Sequence, residues 1–213
     1  MLKRIVEKDQ NESFSGIENA RKYAEESEKS SKTRFHGLLN KLTDLNIKGN
    51  YLEVGAGSGT LAGMIVGRDE NINITGIEIS KDMVTVANEY IKNKGLEQRI
   101  NIVNGDIEDE KLIKELGKYD LIYSTFSLHH WGNPKKVITN LIQYLNDNGV
   151  LLIYDLKRVW WLYWVPKQNG FFKSIRASYK PKEIEEILDT IGIKNYKIEN
   201  IFPFFMQNIT IWK

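Results

Sequence analysis

Short apolar, β-prone runs alternate with amphipathic helical stretches through most of this 213-residue chain. Five of these runs predict buried strands, each separated from the next by a helical stretch. The predicted strands cover residues 51–54, 74–78, 100–103, 119–124 and 150–155. Strands and helices that alternate at this length form right-handed βαβ units. The sequence therefore predicts an α/β fold with a mostly parallel sheet and helices on both faces.

Capping side chains mark the beginning of two predicted helices. Ser80 precedes one of them, where its hydroxyl can accept a hydrogen bond from the first turn. Asn133 and Pro134 open another, because Asn caps well and Pro is tolerated in a first turn. Helices are predicted to begin near residue 58 and to cover about 80–93, 108–116, 134–146 and 181–191.

The end of the chain follows a different pattern. Two β-like runs, 196–201 and 207–212, are separated only by residues 202–206. A connection this short cannot contain a crossover helix, so the two strands should be antiparallel. The chain is expected to close its parallel sheet with an antiparallel hairpin at one edge.

Residues 1–48 are polar and helix-prone, and they end in an amphipathic run with apolar residues at helical spacing. They are predicted to form an N-terminal helical cap on the main domain, which covers 49–213. At this length a single structural domain is expected. The apolar residues of the run are Phe35, Leu38, Leu39, Leu42 and Leu45.

Composition narrows the function classes. Thirty basic and 28 acidic residues give a net charge of +2, which does not favour nucleic-acid binding through bulk charge. The chain has no cysteine, which excludes disulfides, zinc thiolates and thiol nucleophiles. The N-terminus lacks the apolar run of a signal peptide, and no stretch is long and apolar enough to span a bilayer. A cytoplasmic location is therefore expected.

Glycine and acidic residues follow the first three predicted strands. Gly55, Gly57 and Gly59 come after the first strand, where glycine allows a ligand close to the backbone. Glu78 ends the second strand, where a carboxylate can accept hydrogen bonds from both ribose hydroxyls, and Asp106 follows the third. Each feature alone has a purely structural interpretation, as a tight turn or a helix cap. Together they predict an adenosine-type ligand.

A dinucleotide is the competing cofactor, because the segment 57–62 also fits the loose G-x-G-x-x-A pattern. That interpretation places the first glycine three residues after Val54 rather than directly after the strand. It also leaves the acid at 106 and the antiparallel tail without a role.

These residues resemble a known family. Glu53-Val-Gly-Ala-Gly-Ser-Gly59, the acid of Gly76-Ile-Glu78, Asn104-Gly-Asp106 and the segment 119–131 are similar to successive motifs of class I S-adenosylmethionine-dependent methyltransferases. The resemblance covers about 45–213. It implies a Rossmann-like doubly wound sheet of seven strands in the order 3-2-1-4-5-7-6, with the last strand antiparallel.

The resemblance also implies S-adenosylmethionine as cofactor. Loop residues would contact its methionine portion, Glu78 its ribose, residues 79, 83, 106 and 107 its adenine, and Thr125 its methionine end. The implied contacts are Glu53, Gly55, Ala56, Gly57, Gly59, Glu78, Ile79, Met83, Asp106, Ile107 and Thr125.

Two adjacent histidines are candidate catalytic bases. His129 and His130 follow the fourth strand on the cofactor side, and an imidazole has a pKa suited to accepting a proton near neutrality. The alternative is that His-His-Trp shapes the loop, since the resembling family carries this segment across many substrates. A base is needed only when the acceptor must lose a proton.

The resemblance to class I methyltransferases implies that the segment 156–182 lies over the substrate pocket. This segment contains seven basic and seven aromatic residues and no acidic one. Three interpretations stay open: a packed lid, a pocket for a small anionic acceptor, or a membrane-surface patch. Arg176 would be the anion clamp of the second, and Trp with Lys and Arg suits the third. RNA stacking is not favoured, because the motif typical of amino-group nucleic-acid methyltransferases is missing. The candidate acceptor contacts are Tyr23, Asp155, Trp160 and Arg176.

Two functional hypotheses follow. The first is a methyltransferase acting on a small organic acceptor, with an amphiphilic or membrane-associated acceptor as an alternative. The second is a cofactor-binding module without turnover. No His, Asp and Glu cluster has metal-ligand spacing, so no metal is expected. The sequence indicates neither the methylated atom nor the oligomeric state.

Overall fold

Seven strands form one sheet in the order β3-β2-β1-β4-β5-β7-β6 in the computed structural model of the chain, which describes residues 2–6, 16–166 and 169–213. The strands are β1 (Gly49–Val54), β2 (Ile72–Glu78), β3 (Ile100–Asn104), β4 (Tyr119–Thr125), β5 (Leu145–Leu156), β6 (Tyr196–Ile201) and β7 (Met206–Trp212). Parallel pairing joins β1 through β5, and β7 is antiparallel to both β5 and β6. The predicted fold class, strand order and antiparallel closing strand are confirmed.

Helices connect the strands. They are α1 (Ile17–Arg34), α2 (His36–Leu45), α3 (Thr60–Val66), α4 (Lys81–Asn93), α5 (Glu110–Leu116), α6 (Pro134–Gln143), α7 (Trp160–Tyr163), α8 (Gly170–Ala177) and α9 (Pro181–Thr190). Both predicted caps are present, since Ser80 Oγ accepts from the Met83 N–H and Asn133 Oδ1 from the Lys136 N–H. Helix α6 ends earlier than predicted, because β5 already begins at Leu145.

Both faces of the sheet are buried, as expected of a sheet with helices on each side. Alternate residues of β4 show this directly: Leu121 and Tyr123 join the core beneath α2, α3 and α4, while Ile122 joins the core beneath α6 and α9. Because strand side chains alternate, two-sided burial requires the nearly continuous apolar runs seen in the sequence. Within the described ranges, no helix combines the length and apolar character needed to cross a bilayer.

The N-terminal helices lie over the sheet's cofactor side. Helix α1 packs on α3 and α4, where Ala20 is buried beside Met83 and Val86, and an ion pair joins Arg21 to Glu89. Helix α2 buries Leu38 and Leu39 in the core. The division into a cap and a main domain stays a prediction, and part of the predicted cap, residues 7–15, lies outside the described residues.

Candidate cofactor and acceptor site

The glycine loop lies at the carboxyl edge of the sheet and folds over the end of β2. The N–H groups of Gly55 and Ala56 both donate to the carbonyl of Ile77 (2.9 and 3.0 Å), and the Gly59 N–H donates to the Ala56 carbonyl (3.0 Å). Gly55 and Gly57 have φ of 77° and 53°, in the left-handed region that favours glycine. The loop's path therefore depends on these glycines, as the sequence predicted for a close ligand approach.

Glu78 is held beside this loop. Its Oε2 accepts from the Gly57 N–H (2.9 Å) and its Oε1 from the Ser80 N–H (2.9 Å). A carboxylate oxygen has two lone pairs, so each keeps one acceptor position for a ribose hydroxyl. The geometry fits the predicted ribose role and adds a second role, because the same carboxylate fixes the loop.

Glu53 is a buried acid with an unsatisfied oxygen. Its side chain lies within the sheet at 1% exposure, and among the described residues its Oε2 has no hydrogen-bond partner. Burial raises its pKa to about 8, and the charge of Glu78 adds to the rise while the phenol of Tyr123 opposes it. An orphaned carboxyl oxygen fits a positively charged ligand group such as the amino group of a methionine moiety.

The end of β3 is tied to the end of β2. Asn104 donates from Nδ2 to the carbonyls of Glu78 (2.9 Å) and Ile79 (3.0 Å), which fixes the segment predicted to contact adenine. Asp106 accepts from the Glu108 N–H through Oδ1 (2.9 Å), so its other oxygen is available for a ligand amino group. The sequence analysis assigned no separate role to Asn104, although this residue belongs to the motif 104–106.

The predicted adenine-facing apolar residues differ in exposure. Ile79 is 61% exposed beside the loop, and Ile107 is half-buried. Met83 is buried against α1, in the cluster with Ala20 and Val86. Contact of these three side chains with adenine stays a prediction.

The exit of β4 approaches the glycine loop closely. A Cβ on Gly55 would lie 3.2 Å from Ser127 Oγ, which itself accepts a hydrogen bond from Trp131 Nε1 (3.1 Å). Between Thr125 and Ser127, Phe126 has a φ of 52°, and a non-glycine residue in this region marks a constrained backbone. The sequence analysis missed Phe126, since no local pattern indicates a left-handed phenylalanine.

His129 and Asp155 form a buried pair. Each side chain is about 1% exposed. His129 Nδ1 lies 2.8 Å from Asp155 Oδ1, and the His129 backbone N–H donates to Asp155 Oδ2 (3.1 Å). Among the described residues, His129 Nε2 has no hydrogen-bond partner. Asp155 was predicted to contact the acceptor, and in the structure any effect on the acceptor would pass through the His129 ring.

His130 stacks on His129 with ring centroids 4.0 Å apart. Burial lowers the pKa of His130 to about 4, with the neighbouring His129 adding to the fall. His130 is therefore neutral near pH 7 and a weak base. Of the two candidate bases, His129 has the more suitable surroundings.

The N-terminal segment reaches this pair, which the sequence analysis did not foresee. Arg4 donates to the carbonyls of His129 (2.8 Å) and Ala177 (2.5 Å), and its guanidinium lies 4.1 Å from the centroid of the Tyr179 ring. A single arginine in a polar leader carries no signal for such a role. Arg4 thus connects the start of the chain, the histidine loop and α8.

The other predicted acceptor contacts lie on three different helices, α1, α7 and α8. Tyr23, on α1, accepts from Arg34 through its hydroxyl (3.4 Å). Trp160 is 69% exposed on α7. Arg176 donates to the carbonyls of Tyr163 (3.3 Å) and Val165 (2.6 Å), which holds α7 and α8 together. A direct role of these residues in acceptor binding stays a prediction, and Lys167 of the same segment lies outside the described residues.

Comparison with known proteins agrees with this geometry. Residues 52–151 match the family model described as "Methyltransferase domain". The chain is 27% identical over 191 residues to a ubiquinone biosynthesis O-methyltransferase of Rickettsia canadensis, covering 82% of this chain and 76% of that protein. It is 29% identical over 150 residues to a malonyl-[acyl-carrier protein] O-methyltransferase of Priestia megaterium, covering 70% and 48%.

A solved structure shares the fold. The crystal structure of a SAM dependent methyltransferase from Aquifex aeolicus superimposes with a TM-score of 0.70 at 17% identity, covering 92% of this chain and 98% of that one. The segment that matches the family model, 52–151, begins within β1 and ends within β5, and it includes the glycine loop and the acids at the ends of β2 and β3. Residues 52–151 therefore form a methyltransferase domain by similarity, and the relatives and the shared fold support a class I S-adenosylmethionine-dependent methyltransferase.

Proposed function

We propose that this methyltransferase methylates a hydroxyl oxygen of a small organic acceptor, with His129 as the base that removes the hydroxyl proton. The observation that carries the proposal is the buried His129–Asp155 pair at the end of the fourth and fifth strands.

The hydrogen bond between the two side chains selects a tautomer of His129. A carboxylate facing Nδ1 favours the proton on that nitrogen, which leaves the Nε2 lone pair as the acceptor. The ring is also held by its own backbone N–H on Asp155, so its orientation is doubly fixed. A fixed imidazole with a free Nε2 is the arrangement a general base requires.

The pair also lies on the loop that borders the cofactor. Thr125 ends β4, Ser127 and His129 lie in the short turn after it, and a Cβ added to Gly55 would lie 3.2 Å from Ser127 Oγ. An acceptor held between this turn and the cofactor's methionine end would place its hydroxyl close to the histidine. This proximity supports a shared site for base and cofactor.

The residues of the chain then have distinct tasks. The bound cofactor supplies an electrophilic methyl group and a neutral thioether leaving group. His129 takes the acceptor's hydroxyl proton at Nε2 as the oxygen becomes nucleophilic. Asp155 stabilises the resulting imidazolium through the Nδ1 hydrogen bond. Glu78 and Glu53 bind and orient rather than transfer protons in this step.

The names of the relatives support an oxygen acceptor, because both proteins compared above are described as O-methyltransferases. Their acceptors differ from each other, one in ubiquinone biosynthesis and one on an acyl-carrier protein. The acceptor proposed for this chain is therefore defined by its chemical group alone. That group is a hydroxyl, which loses its proton when it is methylated.

The test combines cofactor binding with product formation. Titration calorimetry should show S-adenosylmethionine binding, and a coupled assay for S-adenosylhomocysteine should show turnover with catechols and phenols. Aniline analogues of the same shape are the matched controls and should react more slowly. Turnover with the anilines alone would contradict the oxygen assignment, and absence of cofactor binding would contradict the function itself.

One observation favours a second candidate, a cofactor-binding module without turnover. His129 is almost completely buried, so an acceptor can reach Nε2 only if the surrounding loop opens. Tight cofactor binding without S-adenosylhomocysteine production from any hydroxyl, amine or thiol acceptor would support this candidate over the enzyme.

A further inference from the structure

Exposed apolar side chains are concentrated in one region of the surface. Among the described residues, nine large hydrophobic side chains are exposed, and eight of them belong to three short segments. We call these eight residues the aromatic patch: Ile5, Val6, Trp160, Trp161, Trp164, Phe171, Phe202 and Phe204. The ninth, Ile79, lies beside the glycine loop. Isolated exposed apolar residues are normal, whereas a group of this size marks an interaction surface.

Direct contacts join the three segments. The Ile5 N–H donates to the Arg176 carbonyl (3.1 Å), and the Tyr163 hydroxyl donates to the Lys3 carbonyl (3.0 Å), so the N-terminal segment lies on α7 and α8. The Phe171 and Phe205 rings are 5.4 Å apart, which brings α8 against the turn between β6 and β7. The three segments that carry the patch are therefore neighbours in the fold although they are far apart in sequence.

The patch lies at the same edge of the sheet as the cofactor loop. Strand β6 runs parallel to β1 through β5, so the turn after Ile201 leaves the sheet at its carboxyl edge. The Lys157 N–H donates to the Phe205 carbonyl (2.7 Å), which ties this turn to the end of β5. Arg4, next to Ile5, bonds the His129 carbonyl. A surface that covers the patch would thus border the acceptor side of the site.

The charge around the patch is of one sign. Residues 2–6, 156–182 and 201–206 contain no acidic residue, and basic residues such as Lys3, Lys157 and Lys182 accompany the aromatic ones. A twofold contact between two copies of the chain would place this basic region against itself. An anionic surface is complementary to it instead.

From this combination we infer that the aromatic patch is a docking surface for an anionic lipid bilayer. Exposed tryptophan and phenylalanine side chains would enter the headgroup region, and the flanking lysines would bind acidic headgroups. Docking would turn the site's acceptor side toward the bilayer, where an amphiphilic acceptor is located. This inference does not depend on the proposed base or on the methylated atom.

The experiment is co-sedimentation of the full chain with extruded vesicles at low salt. Vesicles of phosphatidylcholine with phosphatidylglycerol should bind the protein, and vesicles of phosphatidylcholine alone should bind it more weakly. Added salt should weaken binding, because it screens the attraction between the lysines and the acidic headgroups. Each lysine near an acidic surface is expected to contribute about fivefold in affinity. Tryptophan emission should shift to shorter wavelength on binding, because Trp160 and Trp164 leave water.

Variants distinguish vesicle binding through the aromatic patch from nonspecific binding. W160S/W164S/F202S should lower vesicle affinity by at least about tenfold, since each removed side chain contributes buried apolar area. K3Q/K157Q should lower it about 25-fold at low salt. Two matched control variants should bind vesicles like the original chain. I79S is the control for exposed apolar area, and K92Q/K114Q is the control for charge. Calorimetry with S-adenosylmethionine checks that the patch variants are folded.

Three results would overturn the inference. The first is no binding of the original chain to anionic vesicles at low salt. The second is equal vesicle binding by the patch variants and the controls. The third is an original chain that does not bind vesicles but forms a dimer in sedimentation velocity or is retained on immobilised single-stranded RNA. In this case the dimer or the RNA retention would be lost in W160S/W164S/F202S. If the original chain binds anionic vesicles but shows no methyl transfer, that result would contradict only the proposed function.

Discussion

The two halves of the site are built on opposite principles. On the cofactor half, polar groups at the ends of β1, β2 and β3 bond one another, as when Glu78 accepts from both Gly57 and Ser80. On the proposed acceptor half, α7, α8 and the turn after β6 leave Trp160, Trp164 and Phe202 between 69% and 79% exposed. The first half is closed by the chain itself. The second presents apolar area that only another molecule can cover.

This contrast indicates where substitutions should act. Changes on the cofactor half should alter binding, stability and pH dependence, because its groups are buried and mutually bonded. Changes on the acceptor half should leave stability unchanged and affect only turnover or association. Four predictions test that division, on turnover, on cofactor affinity, on the pH dependence of stability and on the stability effect of a surface change.

Replacement of His129 by Asn should have the largest effect. If His129 is the base, H129N should lower kcat by about 10² to 10⁴-fold, the usual contribution of general base catalysis, without altering cofactor affinity. D155N should lower kcat less and change its pH profile, since it alters the tautomer rather than removing the base. H130N is the matched control and should retain most of the activity. Unchanged kcat in H129N would remove this residue from the mechanism.

Replacement of Gly57 by Val should come next. Gly57 has a φ of 53°, and no atom lies within 4 Å of an added Cβ, so the cost is backbone strain alone. A strain of roughly 1–3 kcal/mol in the loop corresponds to about a 10- to 100-fold loss in S-adenosylmethionine affinity. Gly95, with a φ of 68° and equally open space, is the matched control.

G95V should therefore destabilise the chain by a similar amount while calorimetry shows normal cofactor binding. Equal losses of affinity in G57V and G95V would mean that the glycine loop has no special part in holding the cofactor. That result would break the contrast between the two halves of the site.

Glu53 predicts a pH-dependent stability of the cofactor-free chain. Its pKa rises from 4.5 to about 8 on folding, so the folded chain binds more protons than the unfolded chain between these values. The stability associated with the protonated acid is fully present below the unfolded pKa and is lost as pH rises through about 8. The loss is on the order of 3–5 kcal/mol.

E53Q should remove this slope and be more stable than the original chain at about pH 9 in denaturant unfolding. The exposed Glu97 supplies the control, and E97Q should keep the slope. E53Q should also bind S-adenosylmethionine more weakly, because an amide cannot release a proton and so cannot supply the carboxylate charge that the ligand's amino group favours. An E53Q chain with the original pH dependence would show that Glu53 is not the titrating group.

Replacement of Trp160 by Ser should have the smallest effect on stability. The side chain is largely exposed, and surface changes of this kind alter the free energy of unfolding by less than about 0.5 kcal/mol. W131F is the comparison variant for the free energy of unfolding. It should destabilise the chain more than W160S does, because Trp131 is 5% exposed and donates to Ser127. A large destabilisation by W160S would mean that the aromatic patch is part of the packed lid.

The sheet and the cofactor loop were predictable because their signals are local. Apolar runs alternate with capped helices, and Ser80 and Asn133 mark two helix starts that the structure confirms. The β6–β7 hairpin followed from a connection too short for a helix. Positions that depend on several strands at once were missed, such as Asn104, which bonds the neighbouring strand's end, and Phe126, whose left-handed backbone follows from its bond to Tyr154.

The sequence by itself thus determined the fold class, the strand order through the family resemblance, and the glycine loop with its acids. Only the tertiary structure decided what meets around the acceptor. His129 and Asp155 are 26 residues apart and pair because β4 and β5 are neighbours in the sheet. Arg4 lies 125 residues from the His129 carbonyl that it bonds. Such contacts arise from strand order and lateral packing, and no local pattern of residues encodes either one.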